Sequence, residues 1–304
     1  MKVLILGSRG MVGSSISRMF KQLKTYEVIN SSRADTNLFS LEQTKRLIEE
    51  HTPDIIINSA ATVGGIVANN SFRTEFIINN LKINLNLFES VLNYPNINII
   101  NLGSSCIYPL DASNPIKESS LMTGKLEPTN SPYAMAKLTS IEMGESVSIQ
   151  YGHNVLNLMP TNLYGPNDNF DFEKSHVIPG LIARMHKAKI DKEDKFSVWG
   201  TGKPLREFLY VDDLALAIIH LIENNVKSGI YNIGSGEEID IANLVNQLKE
   251  VINYKGKILF DDSKPDGNPR KLLDSSKIFS LGWKPKINLK TGLKETYSWF
   301  LTNQ

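Results

Sequence analysis

The amino-acid sequence predicts an α/β protein built on a doubly wound parallel sheet, with a smaller, discontinuous C-terminal α/β domain. Three observations lead to this prediction. Short runs rich in β-branched residues alternate with longer segments of helical period through the first half of the chain. A glycine-rich turn directly follows the first of these runs. After about residue 165 the alternation gives way to loops rich in Asn, Asp, Gly and Pro.

The buried runs of the first half are short enough to be strands, and each is followed by a segment long enough for a helix. Because strand and helix repeat in this order, neighbouring strands are expected to run parallel. The predicted strands are Lys2–Leu6, Glu27–Asn30, Asp54–Asn58, Ile97–Leu102 and Asn154–Met159.

The second half of the chain is expected to divide between this sheet and a second domain. A helix at Val177–Lys189 should lie outside the sheet, whereas Arg206–Asn224 and Gly229–Gly234 should rejoin the sheet domain. The C-terminal part is predicted to contain a helix at Leu244–Val251, a strand at Lys257–Phe260 and a last helix near Leu289–Leu301. The first domain would thus comprise residues 1–165 and about 206–236, and the second about 166–205 and 237–304.

The composition excludes several classes of function. With 33 basic and 32 acidic residues and a formal net charge of +1, the chain has no polybasic surface for nucleic acid or membrane. Cys106 is the only cysteine, so an internal disulfide and a multi-cysteine metal site are excluded and no metal is expected. The N-terminal apolar run is shorter than the ~7–15 residues of a signal-peptide core. No stretch approaches the ~20 apolar residues of a membrane helix. A soluble, cytoplasmic protein is expected.

The turn after the first strand has the glycine pattern of a dinucleotide-binding loop. Such glycines let the main chain approach a diphosphate at the N-terminus of the following helix, as in a Rossmann-type fold. The alternative is a tight turn that binds nothing. The cofactor-binding residues predicted here are Gly7, Arg9, Gly10, Met11, Val12 and Gly13.

The end of the second strand favours NADP(H) over NAD. An NAD-binding chain is expected to carry an acidic residue about 20 positions after the glycine loop, where it binds the ribose diol. Here the end of the strand reads Asn30-Ser31-Ser32-Arg33, with an arginine in place of the acidic residue. Arg33 and Arg9 could together bind a 2′-phosphate, because guanidinium groups form paired hydrogen bonds with phosphate oxygens. The alternative is two solvated arginines and bound NAD.

A Tyr-x-x-x-Lys pair, Tyr133 and Lys137, indicates hydride-transfer chemistry. On a helix the two side chains lie on one face, one turn apart. The lysine ammonium is expected to lower the tyrosine pKa, so that the hydroxyl can exchange a proton with a carbonyl oxygen. Ser104, at the end of the fourth predicted strand, would hydrogen-bond the same oxygen. Taken alone, the pair could be an ordinary exposed helix face.

Further motifs extend over essentially the whole chain. In order they are the glycine loop, Val63-Gly64-Gly65-Ile66, Gly103-Ser104-Ser105-Cys106-Ile107-Tyr108-Pro109, Tyr133-x-x-x-Lys137, Pro160-Thr161-Asn162-Leu163-Tyr164-Gly165-Pro166, Ser175-His176-Val177-Ile178-Pro179, Trp199-Gly200, Arg206-Glu207-Phe208 and the run from Lys264 to Asp274. Together they resemble the GDP-L-fucose synthase family of extended short-chain dehydrogenases/reductases. The Ser-Ser-Cys turn, the Ser-His-Val-Ile-Pro segment and the Lys-Pro-Asp-Gly run are its most specific motifs.

The resemblance implies epimerisation of GDP-4-keto-6-deoxy-D-mannose at C3 and C5, followed by reduction of C4 with NADPH. It implies Cys106 as base and His176 as acid, although the residues alone would favour a core cysteine and an ordinary loop histidine. Ser104, Tyr133 and Lys137 would serve the reduction. The implied cofactor contacts also include Leu102, Pro160, Asn162, Leu163, Lys137 and His176, and the implied substrate contacts are Arg184, Trp199, Arg206 and Lys271.

Related activities stay open at this level. A GDP-4-keto-sugar of the colitose or heptose pathway could use the same groups. An NAD-dependent 4-epimerase is disfavoured by Arg33, and a non-catalytic sensor on the same sheet is disfavoured by the joint presence of the tyrosine, lysine and serine. The resemblance also implies a homodimer paired through the helices near Phe76–Leu92 and Tyr133–Tyr151.

Overall fold

The computed structural model of the chain describes residues 1–172, 174–264 and 266–303. In chain order the strands are β1 (Lys2–Leu6), β2 (Glu27–Ser31), β3 (Ile55–Asn58), β4 (Asn98–Leu102), β5 (Val155–Pro160), β6 (Asn162–Tyr164), β7 (Lys195–Trp199), β8 (Leu205–Tyr210), β9 (Gly229–Ile233), β10 (Glu238–Asp240), β11 (Lys257–Asp261) and β12 (Arg270–Lys271). The α-helices are α1 (Met11–Gln22), α2 (Leu41–His51), α3 (Ile66–Ser71), α4 (Arg73–Val91), α5 (Ser131–Tyr151), α6 (Val177–Ile190), α7 (Val211–Glu223), α8 (Ile241–Ile252), α9 (Ser276–Phe279) and α10 (Leu289–Thr302).

A six-stranded parallel sheet, in the order β2-β1-β3-β4-β5-β9, forms the centre of the N-terminal part. Helices cover both faces: α1 and α7 pack together over one, and α2, α4 and α5 over the other. The inner strands are apolar along most of their length because neither face meets water. This arrangement confirms the predicted fold class. The five predicted strands are present, with ends that differ by at most one residue.

A second apolar core lies in the C-terminal part of the chain. There β8 pairs with β6, β10 and β12, while β7 pairs with β11. Helices α6, α8 and α10 contribute their buried faces to this core. The predicted helices at Val177–Lys189, Leu244–Val251 and Leu289–Leu301 correspond to these three helices.

The strand β8 is not part of the six-stranded sheet. It pairs in parallel with β6 and β12 and antiparallel with β10. Helix α7 packs against α1, and Leu209 of β8 belongs to the apolar core of the main sheet. A buried pattern in the sequence indicates that a strand forms but not which strands it pairs with. The boundaries of the two domains stay a prediction.

Candidate active site

The glycine loop packs closely against both β3 and the start of α1. Gly7 has a φ of +76°, and a Cβ there would lie 2.8 Å from the main chain of Ala60. A Cβ on Gly13 would lie 2.3 Å from the carbonyl oxygen of Gly7. At Gly10, by contrast, a Cβ would meet only that same oxygen, at 3.5 Å. The loop is therefore tight on its inner side and open at Gly10, next to the N-terminus of α1, as diphosphate binding requires.

The two predicted phosphate ligands, Arg9 and Arg33, are exposed beside this loop. The guanidinium of Arg33 lies over the ring of Phe39, 5.5 Å from its centroid. Hydrogen bonds from Ser32 lower the pKa of Asp35, and the positive charge of Arg9 adds to this effect. Among the residues that the structure describes, neither arginine is in an ion pair. Both guanidinium groups thus remain able to bind a 2′-phosphate, which fits NADP(H).

Tyr133 and Lys137 lie on the first turns of α5 and face the end of β4. The Nζ of Lys137 donates a hydrogen bond to the carbonyl oxygen of Leu102 at 2.6 Å, and it lies 5.8 Å from the ring centroid of Tyr133. The Tyr133 hydroxyl is within hydrogen-bonding reach of Ser104. The hydroxyl of Ser104 in turn accepts a hydrogen bond from the main-chain N–H of Cys106 at 3.3 Å. The structure thus brings together four of the predicted catalytic residues.

The pKa of Tyr133 is raised from its ordinary value rather than lowered, because burial disfavours the phenolate. Lys137, whose residue surface is only 3% exposed, has a pKa lowered to about 8 by the same desolvation. The expectation that the ammonium would lower the tyrosine pKa toward working pH was therefore wrong for the protein alone. Removal of water, aided by the charge of Cys106, outweighs the hydrogen bond with Ser104, which lowers the pKa. At neutral pH the tyrosine is a proton donor.

Burial also raises the pKa of the Cys106 thiol. The positive charge of Lys271 is the strongest opposing influence, followed by a hydrogen bond from Ser104 and the charge of Lys137. Cations therefore surround the thiol as the sequence-based interpretation required, but their effect is smaller than that of desolvation. We expected nearby charge to favour the thiolate and so to lower the pKa of Cys106. That expectation was wrong, because the net shift of this pKa is upward.

His176 lies immediately before α6, at its N-cap position. The residue is exposed, yet the protein atoms around its imidazole lower the pKa by desolvation. The Gly64-Gly65 motif holds this segment, since the N–H of Gly65 donates to the carbonyl of Lys174 at 2.9 Å. A Cβ on Gly65 would lie 2.4 Å from the carbonyl oxygen of Ser175. The loop after β3 therefore fixes the main chain directly before His176.

The predicted substrate ligands form two groups. Arg184 lies over the rings of Phe196 and Trp199, at 6.0 Å and 5.9 Å from their centroids, and Trp199 is 60% exposed. Arg206 and Lys271 are register partners on β8 and β12, and the charge of Arg206 lowers the pKa of Lys271 after desolvation. Both groups are cationic and partly open to solvent, as binding of a diphosphate requires.

The remaining predicted cofactor contacts follow β5. Pro160 ends this strand, and Leu163 packs against the main core. The side-chain N–H of Asn162 donates to the main-chain carbonyl of Glu207 at 2.8 Å. These residues lie at the carboxyl edge of the sheet, where ligands of open α/β sheets bind. Pro265, within the Lys-Pro-Asp-Gly run, lies outside the described residues.

A row of buried asparagines supports the helix of Tyr133 and Lys137. Asn58, Asn101 and Asn157 are register partners across β3, β4 and β5, and each is at most 1% exposed. The amide of Asn101 donates to Asn157 at 2.8 Å and to the hydroxyl of Ser140 at 3.1 Å. Ser140 then donates to the carbonyl of Lys137 at 2.8 Å. Sequence reasoning missed this row, whose signal is one asparagine within each of three apolar strands.

Comparison with known proteins agrees with this geometry. The model of the family described as "NAD dependent epimerase/dehydratase family" matches residues 3–234. A "Probable GDP-L-fucose synthase 1" from Oryza sativa subsp. japonica is 47% identical over 303 residues, covering 99% of this chain and 92% of the relative. A "GDP-L-colitose synthase" from Yersinia pseudotuberculosis is 35% identical over 306 residues, covering 100% and 99%.

A solved structure of similar architecture holds the expected cofactor. It is that of "a gdp-l-fucose synthetase from Naegleria fowleri bound to NADP", with a TM-score of 0.89 and 27% identity over 99% of this chain and 94% of that one. The full-length similarity, the glycine loop and the cluster of Ser104, Tyr133 and Lys137 agree on one assignment. The chain belongs to the NAD-dependent epimerase/dehydratase family and, within it, to the GDP-L-fucose synthases.

Proposed function

We propose that this protein converts GDP-4-keto-6-deoxy-D-mannose to GDP-L-fucose, by epimerisation at C3 and C5 and then reduction at C4 with NADPH. The observation that carries the proposal is the cluster at the carboxyl end of β4. There the hydroxyl of Tyr133, the ammonium of Lys137, the hydroxyl of Ser104 and the only thiol of the chain, Cys106, surround one small volume. A hydride-transfer group and a candidate carbon base thus face one substrate position.

In the epimerisation, the ketone at C4 acidifies the C–H bonds at C3 and C5. The thiolate of Cys106 removes a proton from one face of the sugar, and His176 returns a proton to the other face. The charge of the enolate intermediate is stabilised by hydrogen bonds to its oxygen from Ser104 and Tyr133. Lys271 supports the thiolate, because it is the cation that lowers the pKa of Cys106 most.

In the reduction, the C4 oxygen gains a proton from the protein. The raised pKa of Tyr133 keeps its phenol protonated at neutral pH, so the hydroxyl can donate as the alkoxide forms. Lys137 then stabilises the phenolate through its ammonium group, 5.8 Å from the ring centroid. NADPH, held at the glycine loop by Arg9 and Arg33, supplies the hydride when bound. Leu102, Pro160, Asn162 and Leu163 would line its nicotinamide end.

The nucleotide end of the substrate requires cations and a stacking surface. Arg206 and Lys271 are proposed to bind the diphosphate, because they lie side by side on neighbouring strands. Arg184 and the exposed face of Trp199 are proposed to bind the nucleoside side. An indole ring offers a flat apolar surface to a purine base, and an arginine beside it adds positive charge.

The assembly is proposed to be a homodimer in the cytoplasm. Exposed apolar side chains on α4 and α5, among them Ile78, Leu85, Met135 and Ile149, offer a paired-helix surface. A second copy related by a two-fold axis would cover them. Within the described residues, no helix combines the length and the apolar character needed to cross a bilayer. Sedimentation velocity tests the dimer, and a monomer at micromolar concentration would contradict it.

The proposed reaction is tested by NMR of the product formed from enzymatically prepared GDP-4-keto-6-deoxy-D-mannose and NADPH. The stereochemistry at C3, C4 and C5 is read directly. GDP-L-fucose is the expected product. Oxidation of NADPH with formation of an unepimerised sugar would contradict the bifunctional assignment. If the protein turns over only a GDP-4-keto-3,6-dideoxy sugar or a GDP-4-keto-heptose, the same chemistry would be assigned to a substrate of the colitose or heptose pathway.

A further inference from the structure

We propose that Glu207 is a positioning residue that holds Arg206 and Lys271 side by side for the diphosphate of the substrate. The proposal rests on the proposed function in one respect, the assignment of these two cations to the diphosphate. Glu207 occurs in the Arg-Glu-Phe motif, to which sequence reasoning gave no role beyond the arginine. Its side chain is buried, and its residue surface is 0% exposed.

The carboxylate of Glu207 joins three separate parts of the chain. One oxygen accepts from the main-chain N–H of Gly236 at 2.8 Å, and the other accepts from that of Leu273 at 3.0 Å. Ser235 provides a further main-chain hydrogen bond. A Cβ on Gly234 would lie 2.3 Å from the carboxylate, so the main chain lies directly against it. Glu207 thus ties β8 to the segment after β9 and to the segment after β12.

These contacts determine where the two cations lie. Successive side chains of a strand point to opposite faces, so Glu207 faces the segments after β9 and β12, and Arg206 points to the other face of β8. Leu273, which Glu207 holds, is two residues after Lys271, and Lys271 is the register partner of Arg206. The main-chain carbonyl of Glu207 also accepts from Asn162, at 2.8 Å.

The arrangement has an energetic cost that an anionic ligand would offset. Arg206 and Lys271 repel each other, and Arg206 contributes to the lowered pKa of Lys271. Burial raises the pKa of Glu207, while the main-chain N–H groups lower it. An apolar side chain here would avoid the desolvation but would leave the main-chain N–H groups of Gly236 and Leu273 without these acceptors. The carboxylate is therefore the group that can hold both segments together.

The chain contains a matched control for this residue. Asp213 on α7 is also 0% exposed, and its carboxylate also accepts from two main-chain N–H groups, those of Lys286 at 2.8 Å and Ile287 at 3.0 Å. Those contacts join α7 to the segment before α10. Neither of the segments that Asp213 connects carries a predicted substrate ligand.

The test compares Glu207→Gln with Asp213→Asn. Each substitution keeps one side-chain oxygen as an acceptor for one main-chain N–H. It replaces the other oxygen with an NH₂ group, so that two donors face each other at the second main-chain N–H. In Glu207→Gln we expect the KM for the GDP-keto-sugar and the Kd for GDP to rise about tenfold, with the KM for NADPH changed less than about twofold. In Asp213→Asn all three constants should stay within about twofold, although the melting temperature falls in both variants. Equal changes in both variants, or no change in the Kd for GDP, would overturn the proposal.

Two further measurements keep the test decisive. Glu207→Asp retains the charge but withdraws the oxygens by one methylene, and it covers the case in which Glu207→Gln does not fold. We expect a rise of about threefold in the Kd for GDP, and an unchanged value would contradict the proposal. In the Lys271→Met background, adding Glu207→Gln should weaken GDP binding by less than it does in the wild type. If the two effects on the free energy of GDP binding simply add, Glu207 does not act through Lys271.

Wild-type protein that binds GDP but does not turn over the keto-sugar would contradict the proposed function alone.

Discussion

The Nζ of Lys137 donates a hydrogen bond of 2.6 Å to the main-chain carbonyl of Leu102, the last residue of β4. This contact fixes α5 to the strand whose continuation carries Ser104 and Cys106. A shift of the helix would therefore move the lysine relative to both. The bond occupies one of the three donors of the ammonium, so two donors remain for other partners in the site.

The reactivity of Cys106 is predicted to be that of a thiol with a raised pKa. Because it is the only cysteine, the mass of an iodoacetamide adduct reports on this thiol alone. Only the thiolate reacts, and burial raises the pKa, so the alkylation rate should be low at pH 7 and still increase above pH ~8.5, the ordinary thiol value. A plateau reached below pH 8 would contradict the direction of the shift.

The same assay tests the role of Lys271. Lys271→Met removes the charge that lowers the pKa of Cys106 most, so alkylation at pH 8 should slow by several-fold. Lys257→Met, at an exposed lysine on β11, serves as the control and should leave the rate unchanged.

Arg33 is predicted to distinguish NADPH from NADH. Its guanidinium is exposed and is proposed to bind the 2′-phosphate, so Arg33→Ala should raise the Kd for NADPH about tenfold and leave the Kd for NADH nearly unchanged. Quenching of tryptophan fluorescence on titration measures both constants. Arg46→Ala on α2 is a surface control. Equal weakening of both cofactors would show that Arg33 acts on the fold of the loop instead.

Gly65 is predicted to position His176. Its φ is −66°, which any residue can adopt, so alanine is excluded by crowding and not by backbone strain: the new Cβ would lie 2.4 Å from the carbonyl oxygen of Ser175 and 3.3 Å from that of Lys174. Gly65→Ala should displace the segment and slow deuterium exchange at the sugar carbons at least about tenfold, with NADPH affinity unchanged. Gly256→Ala introduces similar crowding, 2.2 Å from the Tyr254 hydroxyl, far from β4. If both variants exchange at the wild-type rate, Gly65 does not position His176.

Ser140 is predicted to stabilise the fold through the buried asparagine row. Ser140→Ala removes the acceptor of Asn101 and leaves a buried amide N–H unpaired, so the free energy of unfolding should fall by about 1–3 kcal/mol. Ser148→Ala, on the same helix, removes a hydroxyl that donates to the carbonyl of Gly144 near the surface, and should cost less than ~0.5 kcal/mol. Urea unfolding measures both. Similar losses would mean that the row contributes nothing beyond a local helix contact.

The sequence was sufficient for the main sheet and for the residues that meet at its carboxyl edge. Glycine spacing, strand alternation and the Tyr-x-x-x-Lys pair are local patterns, and each depends on residues close together in the chain. The pairing of β8 with β12 joins residues far apart in sequence, and periodicity carries no information on it. The directions of the pKa shifts at Tyr133 and Cys106 were missed for a related reason, since desolvation depends on which distant segments cover a group.

The central claim is that one site performs both epimerisation and reduction, and that Cys106 and His176 move the carbon-bound protons whereas Tyr133 donates the proton of the reduction. The most direct measurement is NMR of the sugar recovered after Tyr133→Phe is incubated in D₂O with GDP-4-keto-6-deoxy-D-mannose and NADPH. Loss of the proton donor should slow reduction of C4 by ~10²–10⁴-fold, while deuterium still enters at C3 and C5, because Cys106 and His176 still move the carbon-bound protons and Ser104 still stabilises the enolate. Cys106→Ser should abolish the exchange. Loss of exchange in Tyr133→Phe together with loss of reduction would contradict the division of roles between Cys106 and Tyr133.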